Sequence, residues 1–148
     1  MDCSCGCGAS RFSVRGKPIG RFLCHCTICQ AVYHEPYADV TAFWARSIDL
    51  PKNDNIQFRR FRSPPAVSRG ICSSCDRPVV GFLAMAPLVK VAFVPSRNFA
   101  GEAELPEPWA HIFYDRRIRD VADSVPKISG YWPSEFLIAR KILGGSFH

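Results

Sequence analysis

The sequence predicts a mainly β domain of short antiparallel strands, with one short helix near its C-terminal end. Three observations carry this. Short stretches alternate apolar and polar residues, turn-forming residues separate them at regular intervals, and helical periodicity is scarce. The 148 residues include 10 Gly and 12 Pro, with 47% hydrophobic and 22% charged residues. That balance excludes disorder, collagen-like repeats and a coiled coil, and the length fits one domain, residues 1–148.

Arg11-Phe12-Ser13-Val14 is the first alternating stretch, and residues 19–23 form the second. Residues 38–44 and 55–62 follow, then the strand-like stretch 66–71. Residues 79–85 and 89–94 are the most apolar runs, and 110–114 is the last clear strand. Turn signals divide them at Arg15-Gly16-Lys17-Pro18, Pro51-Lys52-Asn53-Asp54, Ser63-Pro64-Pro65 and Pro95-Ser96-Arg97-Asn98. Residues 101–108 read as a loop rich in Pro and Glu. The helix is expected to be capped by Ser134, with Glu135 in its first turn, Arg140 and Lys141 near its end, and Gly144-Gly145 as its stop. No apolar run approaches the roughly 18 residues of a membrane span. The first residues show neither the basic nor the apolar region of a secretory signal, so a cytoplasmic setting is expected.

The cysteines say most about function. There are eight, at Cys3, Cys5, Cys7, Cys24, Cys26, Cys29, Cys72 and Cys75, and each has another within three residues. A disulfide demands a specific Cα separation and torsion, which neighbours one residue apart rarely meet. Clustered thiols without a secretory signal read as metal ligands in a reducing compartment.

Zinc takes four ligands in a tetrahedron, thiolates prominent among them. Cys72-Ser73-Ser74-Cys75 places two sulfurs on one tight turn and needs a partner pair. That pair is either Cys5 with Cys7 or two of Cys24, Cys26 and Cys29. The count closes if Cys5, Cys7, Cys72 and Cys75 form one tetrahedron. Cys24, Cys26 and Cys29 then form a second zinc site with one position open, the mark of a catalytic zinc. The alternative is a triplet closed by His25, His34 or Cys3, and Cys3 is also able to replace Cys5. His25, inside the triplet, is expected to orient a ligand rather than to bind metal. His34 and His111 read as structural histidines, His148 as a mobile terminal residue, and Trp44, Trp109 and Trp132 as core or pocket walls.

These blocks resemble one family. Cys5-Gly6-Cys7-Gly8-Ala9-Ser10-Arg11-Phe12 looks like its opening motif, Leu23-Cys24-His25-Cys26-Thr27-Ile28-Cys29-Gln30 like its central block, and Ile71-Cys72-Ser73-Ser74-Cys75 like its late knuckle. His111-Ile112-Phe113 and Asp123-Ser124-Val125-Pro126 resemble its C-terminal elements. The family is that of the glutathione-dependent formaldehyde-activating enzyme, which includes centromere-protein-V-type domains. The resemblance spans a core of about residues 3–132 and implies a β-tent-like zinc-binding fold. It implies a structural zinc on Cys5, Cys7, Cys72 and Cys75, and a catalytic zinc on Cys24, Cys26 and Cys29. The implied activity is that of a carbon–sulfur lyase joining glutathione to formaldehyde as S-hydroxymethylglutathione. The chain departs from the family pattern in three places. Asp76 stands where the family has Gly, Ile71 where it has an aromatic, and residues 114–122 lack its Trp.

The implied chemistry is coherent. A thiol near pKa 8.5 is mostly protonated at neutral pH, and coordination to a cation deprotonates it. A basic pocket would suit glutathione, and Arg59, Arg60, Arg62 and Arg69 are the candidates to line it. The formal charge is +6, which falls to about +3 once two such zinc sites deprotonate their ligands. Nucleic acid is therefore not the partner expected, because acidic residues are interspersed with basic ones and the sequence shows no long basic run. A nucleic-acid-binding module and a structural zinc protein without turnover stay as the alternatives. Exposed thiolates oxidise readily, so the second zinc is expected to be under-occupied in isolated protein.

Overall fold

The computed structural model describes residues 1–52, 55–62, 66–101 and 104–145. The chain opens with β1 (Asp2–Ser4) and β2 (Arg11–Val14), then β3 (Gly20–Cys24) and a short helix α1 (Thr27–Tyr33). Next come β4 (Ala38–Trp44), β5 (Ile48–Asp49), β6 (Ile56–Arg59) and β7 (Ser68–Cys72). β8 (Pro78–Ala86) and β9 (Val89–Pro95) form the longest hairpin, and β10 (Pro108–Ile112) precedes the C-terminal helix α2 (Tyr131–Gly145). Three of these were not expected from the sequence. β1 and β5 are too short to show alternation, and α1 lies where a cysteine-bearing loop was anticipated. Part of the turn expected at 51–54, the whole turn expected at 63–65, part of the loop at 101–108, and His148 lie outside the described residues.

The strands form two sheets. β1, β2 and β5 make a three-stranded sheet in that order. The seven-stranded sheet runs β10-β3-β4-β9-β8-β7-β6. Its pairs are antiparallel except one: β10 lies parallel to β3, with His111 opposite Leu23 and Ile112 opposite Cys24. At that junction Gly20 has a packing reason. A Cβ there would sit 1.8 Å from the Trp109 ring, so only glycine lets the indole cross the strand.

Period-two alternation divides the apolar residues between two cores. On β9, Val91 and Phe93 belong to one, while Ala92 and Val94 belong to the other. Successive side chains of a strand point to opposite faces, so the cores lie on opposite sides of the large sheet. The first core takes Val32 and Tyr33 from α1 and Ile138 and Ile142 from α2. The second takes Phe12 and Val14 from the small sheet. Each core carries cysteines: Cys24 and Cys29 in the first, Cys3, Cys5 and Cys72 in the second.

Helix α2 begins earlier than Ser134 would set it. The chain turns at Gly130, with φ of +95°, and Pro133 lies in the first turn, where its missing N–H costs nothing. Ser134 is fully buried inside the helix, and its Oγ accepts a hydrogen bond from the Phe113 N–H at 2.9 Å. Its hydroxyl ties α2 to the end of β10 rather than capping the helix. Ile142 has no exposed surface, and burying such a side chain stabilises by about 1.5–3 kcal/mol. Among the described residues no helix is long and apolar enough to cross a membrane.

Candidate metal centres

Two turns build the first cluster. After β1, the Cys5 N–H donates to Ser10 O at 3.0 Å and Gly8 N–H to Cys5 O at 3.1 Å, with Gly8 at φ of +77°. After β7, Asp76 N–H donates to Cys72 O and Cys72 N–H to Arg77 O, both at 2.9 Å. Asp76 adopts φ of +59°. This left-handed position explains the family's glycine, and Asp is among the residues that tolerate it. The turns bring the sulfurs of Cys5, Cys7, Cys72 and Cys75 within 4.8 Å of one another. Cys5 and Cys7 Sγ lie 3.5 Å apart, and Cys7 and Cys72 Sγ 3.8 Å. Zinc–sulfur bonds of about 2.3 Å in a tetrahedron put sulfurs about 3.8 Å apart, so the donor set fits that ion. Burial raises the Cys72 thiol, but hydrogen bonds from Ser10 and the backbone of Cys75 and Ser74 outweigh it and bring it to about 6. Asn55 stitches the turns together. Its carbonyl accepts from Ser10 Oγ at 3.3 Å and Ser73 N at 2.8 Å, while its Nδ2 donates to Ala9 O at 3.1 Å.

The second cluster sits where β3 runs into α1. Cys24 is the last residue of β3, Cys26 caps α1, and Cys29 lies in its first turn. The Cys26 sulfur accepts the Cys29 N–H at 3.3 Å. All three sulfurs lie within 4.8 Å of one another, and among the described residues no fourth Cys, His, Asp or Glu joins them. Cys24 and Cys29 are buried and Cys26 is half-buried. Contact with the Cys24 and Cys29 thiols holds Cys26 far below the ordinary thiol range, while contact with Cys26 pushes Cys24 well above it.

The parallel β3–β10 pair carries support for this loop. His25 is buried, and its Nε2 lies 2.8 Å from His111 Nδ1. His111 Nε2 lies 2.9 Å from Asp123 Oδ2, and Asp123 Oδ1 accepts from Lys127 Nζ at 2.7 Å. Lys127 and then His111 hold the Asp123 carboxyl down to about 2. A carboxylate only accepts, so with one proton per ring both tautomers follow. His111 donates from Nε2, and His25 donates from Nε2 to His111. Burial, with the charges of His111 and Arg117, lowers His25 to about 4, which keeps its ring neutral at physiological pH. Gln30 clamps the same loop, its Nε2 donating to His25 O at 2.7 Å and Arg116 O at 2.9 Å. The His-Ile and Asp-x-x-Pro elements are thus one support: His111 N–H also donates to Pro126 O at 2.7 Å.

A cavity of about 180 Å³ opens on the triplet, with Cys24, Cys26 and Cys29 in its wall. Most of the remaining wall is apolar, from Phe22, Ile28, Val40, Phe93, Ile112 and Ile138 among others. Arg69 reaches in from β7, with Nη2 3.6 Å from the Cys29 sulfur. Arg62, Tyr131 and Glu135 complete the wall, and burial raises the Glu135 carboxyl. Of the four arginines proposed for a pocket, Arg69 and Arg62 line it, whereas Arg59 and Arg60 are exposed on the far edge strand and beyond it. Among the tryptophans, Trp132 is 77% exposed and is not a core residue.

Other candidates stand apart from both clusters. Cys3 pairs with Phe12 on β1, and burial pushes its thiol up to about 12, so it is an inert core residue. His34 is exposed at the end of α1, 3.6 Å from Asp76. Arg69, Gln30 and Asn55 are the residues that sequence reasoning passed over or could not rank. Their partners are backbone atoms or a sulfur distant in sequence, which no local motif announces.

The fold and its sulfurs define a β-rich domain with two separate thiol clusters, one of four and one of three. The family model described as glutathione-dependent formaldehyde-activating enzyme matches residues 1–116. The chain belongs to that family. A crystal structure of a Rhodobacter sphaeroides protein shares the fold at a TM-score of 0.56 and 16% identity, covering 72% of this chain and 98% of that one. Comparison with curated proteins returns no match.

Proposed function

We propose that the protein is a zinc-dependent enzyme of the carbon–sulfur lyase type, acting on the adduct of a thiol and an aldehyde. One observation carries the reading: Cys24, Cys26 and Cys29 converge without a fourth protein ligand and together face a cavity. In this reading Cys5, Cys7, Cys72 and Cys75 hold a structural zinc, and Cys24, Cys26 and Cys29 hold the catalytic one. When bound there, zinc supplies a cation beside which a thiol loses its proton at neutral pH. In the reaction the sulfur bonds to the carbonyl carbon, the C=O double bond opens, and the thiol's proton ends on the oxygen. Nothing is oxidised. Three thiolates leave such a site anionic, and the Arg69 guanidinium offsets that charge from 3.6 Å. The largely apolar wall lowers the polarity around the sulfur, which strengthens charge interactions there. The family description names glutathione and formaldehyde, which supports a glutathione-like thiol and an aldehyde as substrates.

Calorimetric titration of zinc-loaded, reduced protein with glutathione-like thiols and their S-methyl derivatives tests the reading. The thiols should bind and the thioethers should not, and Cys26→Ser should lose both the second zinc and the binding. Retention of two zinc ions in Cys26→Ser would remove the catalytic assignment.

A further inference from the structure

The cavity beside the triplet has a chemistry of its own, and part of it comes from outside the family match. That match ends at residue 116, whereas Tyr131, Glu135 and Ile138 of α2 line the cavity. The wall facing the sulfurs is formed by Phe22, Phe93 and Ile138 among other apolar side chains, with Arg69 held at Cys29. Besides the cysteines, the charged side chains in its lining are Arg62, Arg69 and Glu135. Residues 114–122, where the family's Trp is missing, contribute nothing to it.

Size and polarity then constrain the guest. An apolar cavity of about 150 Å³ holds a benzene ring, and this one measures about 180 Å³. Formaldehyde would leave most of it empty, and unfilled apolar volume forfeits contacts. Glutathione carries two carboxylates and an ammonium group on a flexible tripeptide. Burying those without partners is costly: with Arg69 held at Cys29, the lining offers Arg62 to one carboxylate and Glu135 to the ammonium, and the second carboxylate has no basic partner there. Neither matches the space in both size and polarity. An arene or branched alkyl group attached one carbon from sulfur is of the right size and polarity, and the lining offers it Phe22, Phe93 and Ile138.

We infer that, among the thiols this site takes, it prefers a compact apolar one, of the size of phenylmethanethiol, to glutathione, and that α2 sets this preference. The inference rests on the reading above that a substrate sulfur meets Cys24, Cys26 and Cys29. It is tested on the full chain, reduced and loaded with zinc, by calorimetric titration with phenylmethanethiol, its S-methyl derivative and glutathione. Phenylmethanethiol should bind roughly tenfold or more tighter than glutathione, and its S-methyl derivative far more weakly. Ile138→Trp, which fills the cavity, should weaken phenylmethanethiol by roughly tenfold while elemental analysis still finds the same zinc content. Tyr131→Ala changes a partly exposed wall residue and serves if Ile138→Trp does not fold; it should weaken the same thiol roughly threefold. Glutathione binding as tightly or tighter, unchanged by either substitution, overturns the preference and leaves the enzyme reading standing. Equal binding of phenylmethanethiol and its S-methyl derivative overturns both, because the sulfur would then play no part.

Discussion

At the scale of single residues, the cysteines were legible and their supports were not. Spacing offered Cys5, Cys7, Cys72 and Cys75 as one set and Cys24, Cys26 and Cys29 as another, with Cys3 and the histidines as alternatives, and the structure brings those two sets of sulfurs together. Asn55 was invisible, since it works through its own backbone carbonyl and the carbonyl of Ala9. Asn55→Ala should lower stability by about 1 kcal/mol, the worth of one intramolecular hydrogen bond, and a urea midpoint on zinc-loaded protein measures it. Asp76 was noticed only as a departure, and its φ of +59° gives the departure a meaning. Asp76→Gly should raise stability by up to about 1 kcal/mol, while Asp76→Val should lower it by about 1–2 kcal/mol because a β-branched residue resists that conformation. A valine variant as stable as wild type would show that the turn relaxes elsewhere.

At the scale of elements, strands with alternation were readable, though 55–62 overruns the end of β6 by three residues and 110–114 lies two residues beyond β10. Residues 11–14 and 38–44 match β2 and β4 as found. Helix α1 was hidden by its brevity: seven residues give less than two full periods, and its cap is a cysteine rather than Ser, Thr, Asp or Asn. The parallel placement of β10 was hidden too, because register between distant strands depends on packing rather than on either sequence alone. Helix α2 was foreseen, with a start set by Gly130 and Pro133 instead of by Ser134. Its inner face fills the first core, so Ile142→Ala should cost about 2–4 kcal/mol. The zinc content should not change, since Ile142 is not among the residues that line the cavity at the triplet; thermal unfolding alongside metal analysis separates the two effects.

At the scale of the whole molecule, the clusters play unequal parts. Cys5 and Cys7 follow a strand of the small sheet, and Cys72 ends a strand of the large one. A metal at that site would join the two sheets across 65 residues of chain, so its binding energy becomes folding energy. The triplet spans one short segment and joins nothing distant. Cys72→Ser should therefore unfold the protein or sharply lower its melting temperature. Cys26→Ser should leave stability within about 1 kcal/mol of wild type, since serine is itself a good cap for α1. Similar loss in both variants would show that the triplet also holds the fold.

The same arrangement has a consequence for a chain still leaving the ribosome. Cys24, Cys26 and Cys29 emerge together, but the second turn of the other cluster ends at Cys75, 46 residues after Cys29. At about 5–20 residues per second that is an interval of roughly 2–9 s. Strand β10 and helix α2, which cover the triplet, are synthesised later still. The thiols with the greatest chemical reach thus spend their first seconds with neither their cover nor their supporting histidine His111. A nascent chain must meet reductant or metal in that interval, before the finished fold can protect it.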